Sequence, residues 1–516
     1  MPVARVIETS TAVAGTRSRT TKVAAIAQTL RESAQDPRQV EVVADYLAGV
    51  LPQRRVGVSW HSLRSLPDPA RTSTLTVSEV DALLERLGQI AGTGSAAQRR
   101  ALVVDLFGRT DADGQQWLRG LLTGEVRQGA GDGVLLQAIA QAAGVPDAEV
   151  RRAVMLAGHA GPVARAALSA PGPQAAQEAL AQVRLQVGRP LRPMLAGSAP
   201  DVASALEGSG EVAVDAKLDG IRVQAHLWVE GEQRHVRLFT RTLEDITDRL
   251  PEVVEALAGV GATTAVLDGE VIAVRPDGRP QPIQVTGART ASTADPARLR
   301  EEVPLTTYLF DLLHLDGTDL VDAPARERWE RLREVAPDLL VDRLVTDDPV
   351  AAQGFFDDLV AAGQEGVVVK ALDVPYAAGR RGAGWVKVKP RQSLDLVVIA
   401  VEWGSGRRQG WLSNIHLAAR DETTGELVML GKTFKGMTDE ILAWQTRRFL
   451  ELETHREGYV VHVRPEQVVE VAIDGVQRSR RYPGGVALRF ARVLRYRDDK
   501  PVAEIDTLHA VRGLGS

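Results

Sequence analysis

The chain has 516 residues, 44% of them hydrophobic and 25% charged, with a formal net charge of -5 and no cysteine. That composition excludes a disordered or collagen-like chain, a disulfide framework, a thiolate nucleophile and a cysteine zinc site. The N-terminus, MPVARVIETSTAV, has no basic patch followed by an apolar core, and no apolar run reaches about eighteen residues, so neither a signal peptide nor a membrane span is expected.

The length predicts about three domains. Mild acidity argues against a nucleic-acid partner only if it is spread evenly. It is not. Residues 1–200 carry 22 basic and 17 acidic side chains, residues 201–350 carry 16 and 29, and residues 351–516 carry 24 and 21. Only 8 of the 62 basic residues are lysine. Arginine serves wherever a surface charge is enough, so the surviving lysines mark places where a compact, titratable amine is needed.

Residues 1–190 place Ala, Leu, Val, Gln and Arg at helical intervals. Residues 32–51 predict one helix. Residues 77–90 predict another, opened by a Ser78-x-x-Asp81 capping pattern. Residues 115–144 predict two helices split by a glycine-rich turn at 129–133. A linker rich in Pro and Gly, GRPLRPMLAGSAP, spans 188–200. From Glu211 the apolar period becomes two, and EVAVDAKLDGIRVQAHLW predicts a pair of strands around a turn. TAVLDGEVIAV, TTYLFDLLHLDG, EGVVVKAL and GWVKVKP predict further strands, with EDITDRLPEVVEALAG and AQGFFDDLVAAG helical between them. After Pro390 come mostly short strands, including LDLVVIAVEWG, LSNIHLAARD, LVMLGKTF, QVVEVAIDGV and VALRFARVLRY. Their spacing predicts a small β-barrel or sandwich.

The chemistry-bearing residues follow the same order. Lys217 stands in Lys217-Leu218-Asp219-Gly220, a pattern that alone also suits an exposed hairpin turn. Next come Thr240-Arg241-Thr242-Leu243-Glu244-Asp245, Leu267-Asp268-Gly269-Glu270 and Tyr308-Leu309-Phe310-Asp311. Glu365-Gly366-Val367-Val368-Val369-Lys370, Trp385-Val386-Lys387-Val388-Lys389 and Arg497-Asp498-Asp499-Lys500 complete the series. In this order and spacing the chain resembles the ATP-dependent DNA ligases of the covalent nucleotidyltransferase superfamily, whose motifs I to VI these are. Five of the eight lysines fall within them. WLRGLLTGEVRQGAGDGVLLQAIA (residues 117–140) resembles the helical DNA-binding domain of that family, and RPMLA (192–196) resembles the lead-in to its catalytic domain. The Arg-rich helical part is most similar to actinobacterial ligases.

The resemblance implies a multidomain α+β protein: a helical DNA-binding domain at 1–190, an adenylation domain of antiparallel sheets with helices at 191–391, and an OB-fold barrel at 392–516. It implies Lys217 as the nucleophile that carries AMP. A lysine suits that task because its phosphoramidate is labile enough to pass AMP onward. Phe310 would stack on adenine, Asp215 would lie beside the adenine edge, and Glu270 would accept the ribose hydroxyls. Arg222, Arg241, Arg381, Lys387 and Lys389 would surround the nucleotide or the nick phosphate. Arg222 and Arg241 lie in the acidic block, where carboxylates can pair them when no ligand is bound. Glu365 and Glu270, with Asp219, offer hard oxygen ligands for Mg²⁺.

Arg497 and Lys500 would orient the pyrophosphate leaving group. Val493-Leu494-Arg495-Tyr496 lengthens the stretch after Arg492, so either arginine fits the triphosphate role. Arg127, in the glycine-rich turn, and Arg407 and Arg408, in GSGRRQGWLSN, are expected to meet DNA phosphates. The implied protein is a monomer of the bacterial cytoplasm, acting with ATP and Mg²⁺ on nicked duplex DNA associated with the nucleoid and needing no membrane. An RNA ligase, an mRNA-capping-type nucleotidyltransferase and a non-catalytic DNA-binding relative are the alternatives. The helical block and RPMLA favour DNA, and intact Lys217, Glu270, Glu365 and Lys387 favour catalysis. An NAD-dependent ligase would carry a four-cysteine zinc module, and this chain has no cysteine.

Overall fold

The apolar spacing of the first 180 residues closes into a bundle. Its helices, from Val3–Gly15 to Pro173–Ala181, share one core running from Val3 to Leu180. The computed structural model describes residues 1–53, 56–92, 94–126, 128–378, 384–390 and 392–514, with His61 described by its backbone alone. The glycine-rich turn separates helices Ala112–Thr123 and Asp132–Ala143, as predicted. One cap differs. Helix Val77–Gln89 is opened by Thr76 and Glu79 rather than by Ser78 and Asp81: the Thr76 hydroxyl accepts from the Glu79 amide at 3.2 Å, and the Glu79 carboxylate accepts from the Thr76 amide at 2.9 Å. Both frames satisfy the capping spacing. Thr76 wins because Val77, at 0% exposure, then enters the core at the first helical position.

The strands, in chain order, are β1 Gly197–Ser198, β2 Val212–Lys217, β3 Ile221–Glu230, β4 Gln233–Thr240, β5 Thr264–Ala273, β6 Leu305–Leu315, β7 Thr318–Asp319, β8 Arg343–Thr346, β9 Gly366–Ala371 and β10 Trp385–Val388. They form two sheets, of order β4-β3-β5-β6-β7 and β1-β10-β9-β2-β8. The predicted strand pair therefore needs correction. β2 and β3 are strands as expected, but each is buried along a continuous run rather than on alternate residues, and they do not pair across their turn. β2 pairs β8, whereas β3 pairs β4 and β5. Alternation encodes a strand and not its partner. Gly220 fixes the crossover, since a Cβ there would lie 2.4 Å from the carbonyl oxygen of Val271.

After these come β11 Gln392–Trp403, β12 Leu412–Arg420, β13 Leu427–Thr433, β14 Glu453–Glu457, β15 Val460–Val463, β16 Val468–Ile473, β17 Gly475–Arg478, β18 Val486–Arg489 and β19 Arg492–Tyr496. The larger sheet runs β13-β12-β11-β15-β14, with β16 pairing β11 and β19. Its pairings among the described residues form an open path rather than a closed ring. β17 and β18 make a separate hairpin. VALRFARVLRY, predicted as one strand, is two: Phe490 adopts φ 53° and breaks it between β18 and β19. A helix missed by the period-two reading, Asp439–Glu451, starts at a Thr438 cap and buries Leu442, Gln445 and Phe449.

The chain divides into two compact units. One comprises residues 1–197, 209–347 and 368–386, and the other 198–208, 348–367 and 387–516. Among the described residues no helix is long and apolar enough to cross a membrane.

Candidate active site

Lys217 is the last residue of β2, half-buried where the chain leaves one sheet for the other. Asp215, two residues earlier, projects from the same face of the strand. It is buried and held by two cations. Arg343 donates to both its oxygens at 2.5 and 2.8 Å, and the Lys370 ammonium approaches to 2.6 Å. Burial alone would push this carboxyl upward, but Lys370 and Arg343 hold it below the usual carboxylate range. Arg343 also donates to the Phe310 carbonyl at 3.1 Å and lies 3.8 Å from the Trp329 ring centroid.

Phe310 owes its place to an irregularity. Asp268 pairs with Asp311 and Gly269 with Leu309, so Phe310 is the extra residue of a β-bulge between β5 and β6. A bulge re-aims the side chain it carries. Gly269 permits the close approach, because a Cβ there would meet the Tyr308 carbonyl oxygen at 2.5 Å. The half-buried Phe310 ring meets Trp385 edge to face at 5.8 Å. Lys370 Nζ lies 4.4 Å from its centroid and 4.3 Å from that of Trp385. The buried indole N–H of Trp385 has no hydrogen-bond partner among the described residues.

Arg222 extends from β3 beneath the same two rings, 5.4 Å from each centroid. It donates to both oxygens of the fully buried Asp268 at 2.9 and 2.6 Å and to the Met194 carbonyl at 2.6 Å. The Tyr376 hydroxyl donates to Asp268 at 2.7 Å and accepts from the Met194 amide at 2.9 Å. The RPMLA segment is thereby fastened to the floor of the site. Burial opposes the Arg222 charge, but Asp268 outweighs it and raises the guanidinium above its ordinary range. The acidic block does pair this arginine, as its charge implied. Glu270 stands opposite Arg222 across the β3–β5 register and is half-buried. Its Cγ is 3.0 Å from where a Gly220 Cβ would lie, so Glu270 and the Asp219-Gly220 turn are immediate neighbours. Arg241 is exposed on the turn after β4 and makes no ion pair with a described residue.

In the second unit Glu365 forms an ion pair with Lys389, and Asp474 is 4.0 Å from the same ammonium. Gly366 (φ +135°) allows this, since a Cβ there would strike the Val388 carbonyl oxygen at 2.2 Å. Lys387 is half-buried on β10. Lys500 donates to Asp395 at 2.7 Å. Arg497 lies 3.3 Å from Asp395 and is clamped by Asp499 at 2.8 Å, which holds that carboxyl down at about 2. Arg407 is exposed, 3.5 Å from Asp439, and Arg408 donates to the Phe434 carbonyl. Arg127 and Arg381 lie outside the described residues. Among the described residues nearby, the buried Lys22 ammonium donates to the Gly129 carbonyl at 2.6 Å.

The sequence reading missed Lys370, Arg343, Asp268, Tyr376 and Trp385. Lys370, Asp268 and Trp385 sat inside recognised motifs, and the scarcity of lysine already pointed to Lys370. Nothing local marked Arg343 or Tyr376. Among the described residues no three acids or histidines gather as a metal site. Mg²⁺ bound largely through substrate phosphates needs only one or two carboxylates, and neighbouring Asp219 and Glu270 fit that demand.

Residues 193–389 match the family described as ATP dependent DNA ligase domain, residues 408–500 the ATP dependent DNA ligase C terminal region, and residues 59–140 the DNA ligase N terminus. A probable DNA ligase of Beutenbergia cavernae is 60% identical over 100% of this chain and 99% of its own. The chain belongs to the ATP-dependent DNA ligases. DNA ligase B of Mycobacterium tuberculosis is 54% identical to this ligase over 98% of both chains. A solved structure named Pmar-Lig_Pre., 17% identical, superposes with a TM-score of 0.57 over 96% of this ligase and 99% of that chain, and shows the same fold. The enzyme is thus a DNA ligase that uses ATP.

Proposed function

We propose that this ligase seals nicks in duplex DNA through a lysyl-adenylate on Lys217. The observation that carries the reading is the convergence of Lys217, Asp215, the bulged Phe310 and Glu270 at the crossover between two sheets. The unprotonated Lys217 amine attacks the α-phosphorus of ATP; the bond to the bridging β-oxygen breaks and pyrophosphate leaves. The DNA 5′-phosphate then attacks the AMP phosphorus and breaks the P–N bond. The 3′-hydroxyl finally attacks the activated 5′-phosphate and releases AMP. Reaction rate comes from positioning and charge neutralisation.

Adenine stacks on the part of Phe310 left open, with the unpaired Trp385 N–H available to a polar atom. Asp215, fixed by Arg343 and Lys370, borders the base edge. Glu270 takes the ribose hydroxyls. Arg222 acts from below, as a fixed positive charge already neutralised by Asp268. Arg241, Arg381, Lys387 and Lys389 serve the nucleotide or nick phosphates. Asp219 and Glu270 would hold Mg²⁺, with Glu365 as a further candidate ligand, and the ion would supply charge neutralisation on the phosphates. Arg127, Arg407 and Arg408 contact the DNA backbone.

A division at about 190 and 391 is the reading favoured by the three largest apolar clusters, at residues 3–180, 223–336 and 394–511; a smaller cluster joins Met155 and Leu156 to Val266 and Trp385. The C-terminal module is an OB-type fold, which in general is a partly open barrel, and the open strand path agrees with that form. The ligase acts as a monomer on nucleoid DNA in the cytoplasm.

Arg497 and Lys500 orient the pyrophosphate in the first step alone. Lys500→Ala is therefore expected to slow self-adenylation by about a hundredfold, the scale of one lost charge-stabilising donor. Sealing of a nick supplied already adenylated should change by less than about threefold. Matched losses in the two assays would refute this role.

A further inference from the structure

The β17–β18 hairpin carries four arginines and no acid within residues 475–489. Arg478, Arg480 and Arg481 are exposed at its tip and form no ion pair with a described residue. Three other exposed arginines of the same unit are neutralised, Arg456 by Glu453 at 2.6 Å, Arg464 by Glu466 at 2.8 Å and Arg495 by Glu470 at 2.7 Å, whereas Arg447, Arg492 and Arg512 stand singly without an ion pair to a described residue; the hairpin tip differs in gathering three such arginines within four residues. The acid nearest in sequence, Asp474, faces Lys389 instead. Three like charges within four residues repel one another unless a polyanion answers them.

The tip is also built to hold its shape. Val476, Val486 and Leu488 pack against the C-terminal core. Gly484 is seated so closely that a Cβ would lie 3.1 Å from Leu508 and 3.2 Å from Leu430 and Val428. Its carbonyl accepts from Arg512 at 3.0 and 3.2 Å. Within the turn, the Ser479 amide donates to the Gly485 carbonyl at 2.9 Å and the Gly485 amide to the Tyr482 carbonyl at 3.0 Å. A fixed backbone reduces the ordering cost of presenting the three guanidinium groups.

We infer that this hairpin tip is a binding surface for the phosphodiester backbone of duplex DNA, separate in sequence from every nucleotide motif. The inference rests on the nick-sealing reading above. Guanidinium forks match phosphate oxygens, and contacts of this kind position a duplex without reading its bases. Each neutralised phosphate releases counterions and adds about 0.9 to the slope of log affinity against log salt.

The test compares the full-length enzyme with the triple variants Arg478→Gln/Arg480→Gln/Arg481→Gln and Arg478→Lys/Arg480→Lys/Arg481→Lys. Two readouts are used: self-adenylation by ATP without DNA, and affinity for nicked duplex across a salt series. The glutamine variant is expected to keep self-adenylation. It should lose about tenfold in affinity, with a salt slope shallower by about 2–3. The lysine variant should retain most of the slope, which a purely structural role for arginine would not give. An unchanged slope in the glutamine variant would overturn the hairpin assignment. If self-adenylation falls too, the single variant Arg480→Gln decides by the same rule, with an expected slope change of about 1. Failure of the unmodified enzyme to seal nicks would overturn the reading beneath it, and so the two failures are distinguishable.

Discussion

Replacing Lys217 with alanine abolishes covalent AMP labelling, the larger of the two leading effects expected here. The residue ends β2, where Asp215 shares its face and Gly220 turns the chain into the other sheet. Lys370, the lysine paired with Asp215, cannot substitute. Lys370 is buried and spent on Asp215, and its ammonium lies against the Phe310 and Trp385 rings. Alanine removes the nucleophile while leaving the strand and its hydrogen bonds, so ATP binding and folding should persist. Labelling should fall below detection, while sealing of a pre-adenylated nick survives at a reduced rate. Label retained on the variant would identify another nucleophile.

The second large effect concerns stability. Asp268→Ala strips the Arg222 guanidinium, whose side chain is only 15% exposed, of its carboxylate and leaves the Tyr376 hydroxyl without its acceptor. Breaking such a pair from one side costs about 3–5 kcal/mol, because the remaining charge stays buried. For a domain of this size that lowers Tm by roughly 6–20 °C. The double variant Arg222→Met/Asp268→Leu replaces the pair with apolar groups and should recover much of the loss. Calorimetry of the single and double variants checks both statements. A single-variant loss below about 1 kcal/mol would show that water reaches the guanidinium.

Lys217, Phe310 and Glu270 were legible through ordered motifs that resemble the ligases, and the structure brings their elements together at the crossover between two sheets. The roles proposed for them, an amine nucleophile, a stacking ring and a carboxylate at the ribose, ask for those residue types. What positions them was not legible. The bulge at Phe310 depends on the register between β5 and β6, and period-two alternation does not reveal register. Tyr376 reaches Arg222 across 154 residues of sequence, and no local pattern announces that contact. The same limit explains the β2–β3 turn, whose alternation suggested a hairpin although its strands lie in different sheets. Helix Asp439–Glu451 was passed over because the strands around it set the prevailing period. The Thr76 cap shows the finer form of the problem: two frames met the same spacing, and burial of Val77 selected one.

The most direct test of the central claim is a pulse-chase on the intact enzyme. The protein is incubated with α-labelled ATP, freed of nucleotide, and mixed with nicked duplex DNA. On the lysyl-adenylate mechanism, label binds covalently to Lys217 and is discharged as AMP in step with closure of the nick. Nick closure without a labelled protein, or a label that GTP supplies and ATP does not, would contradict it.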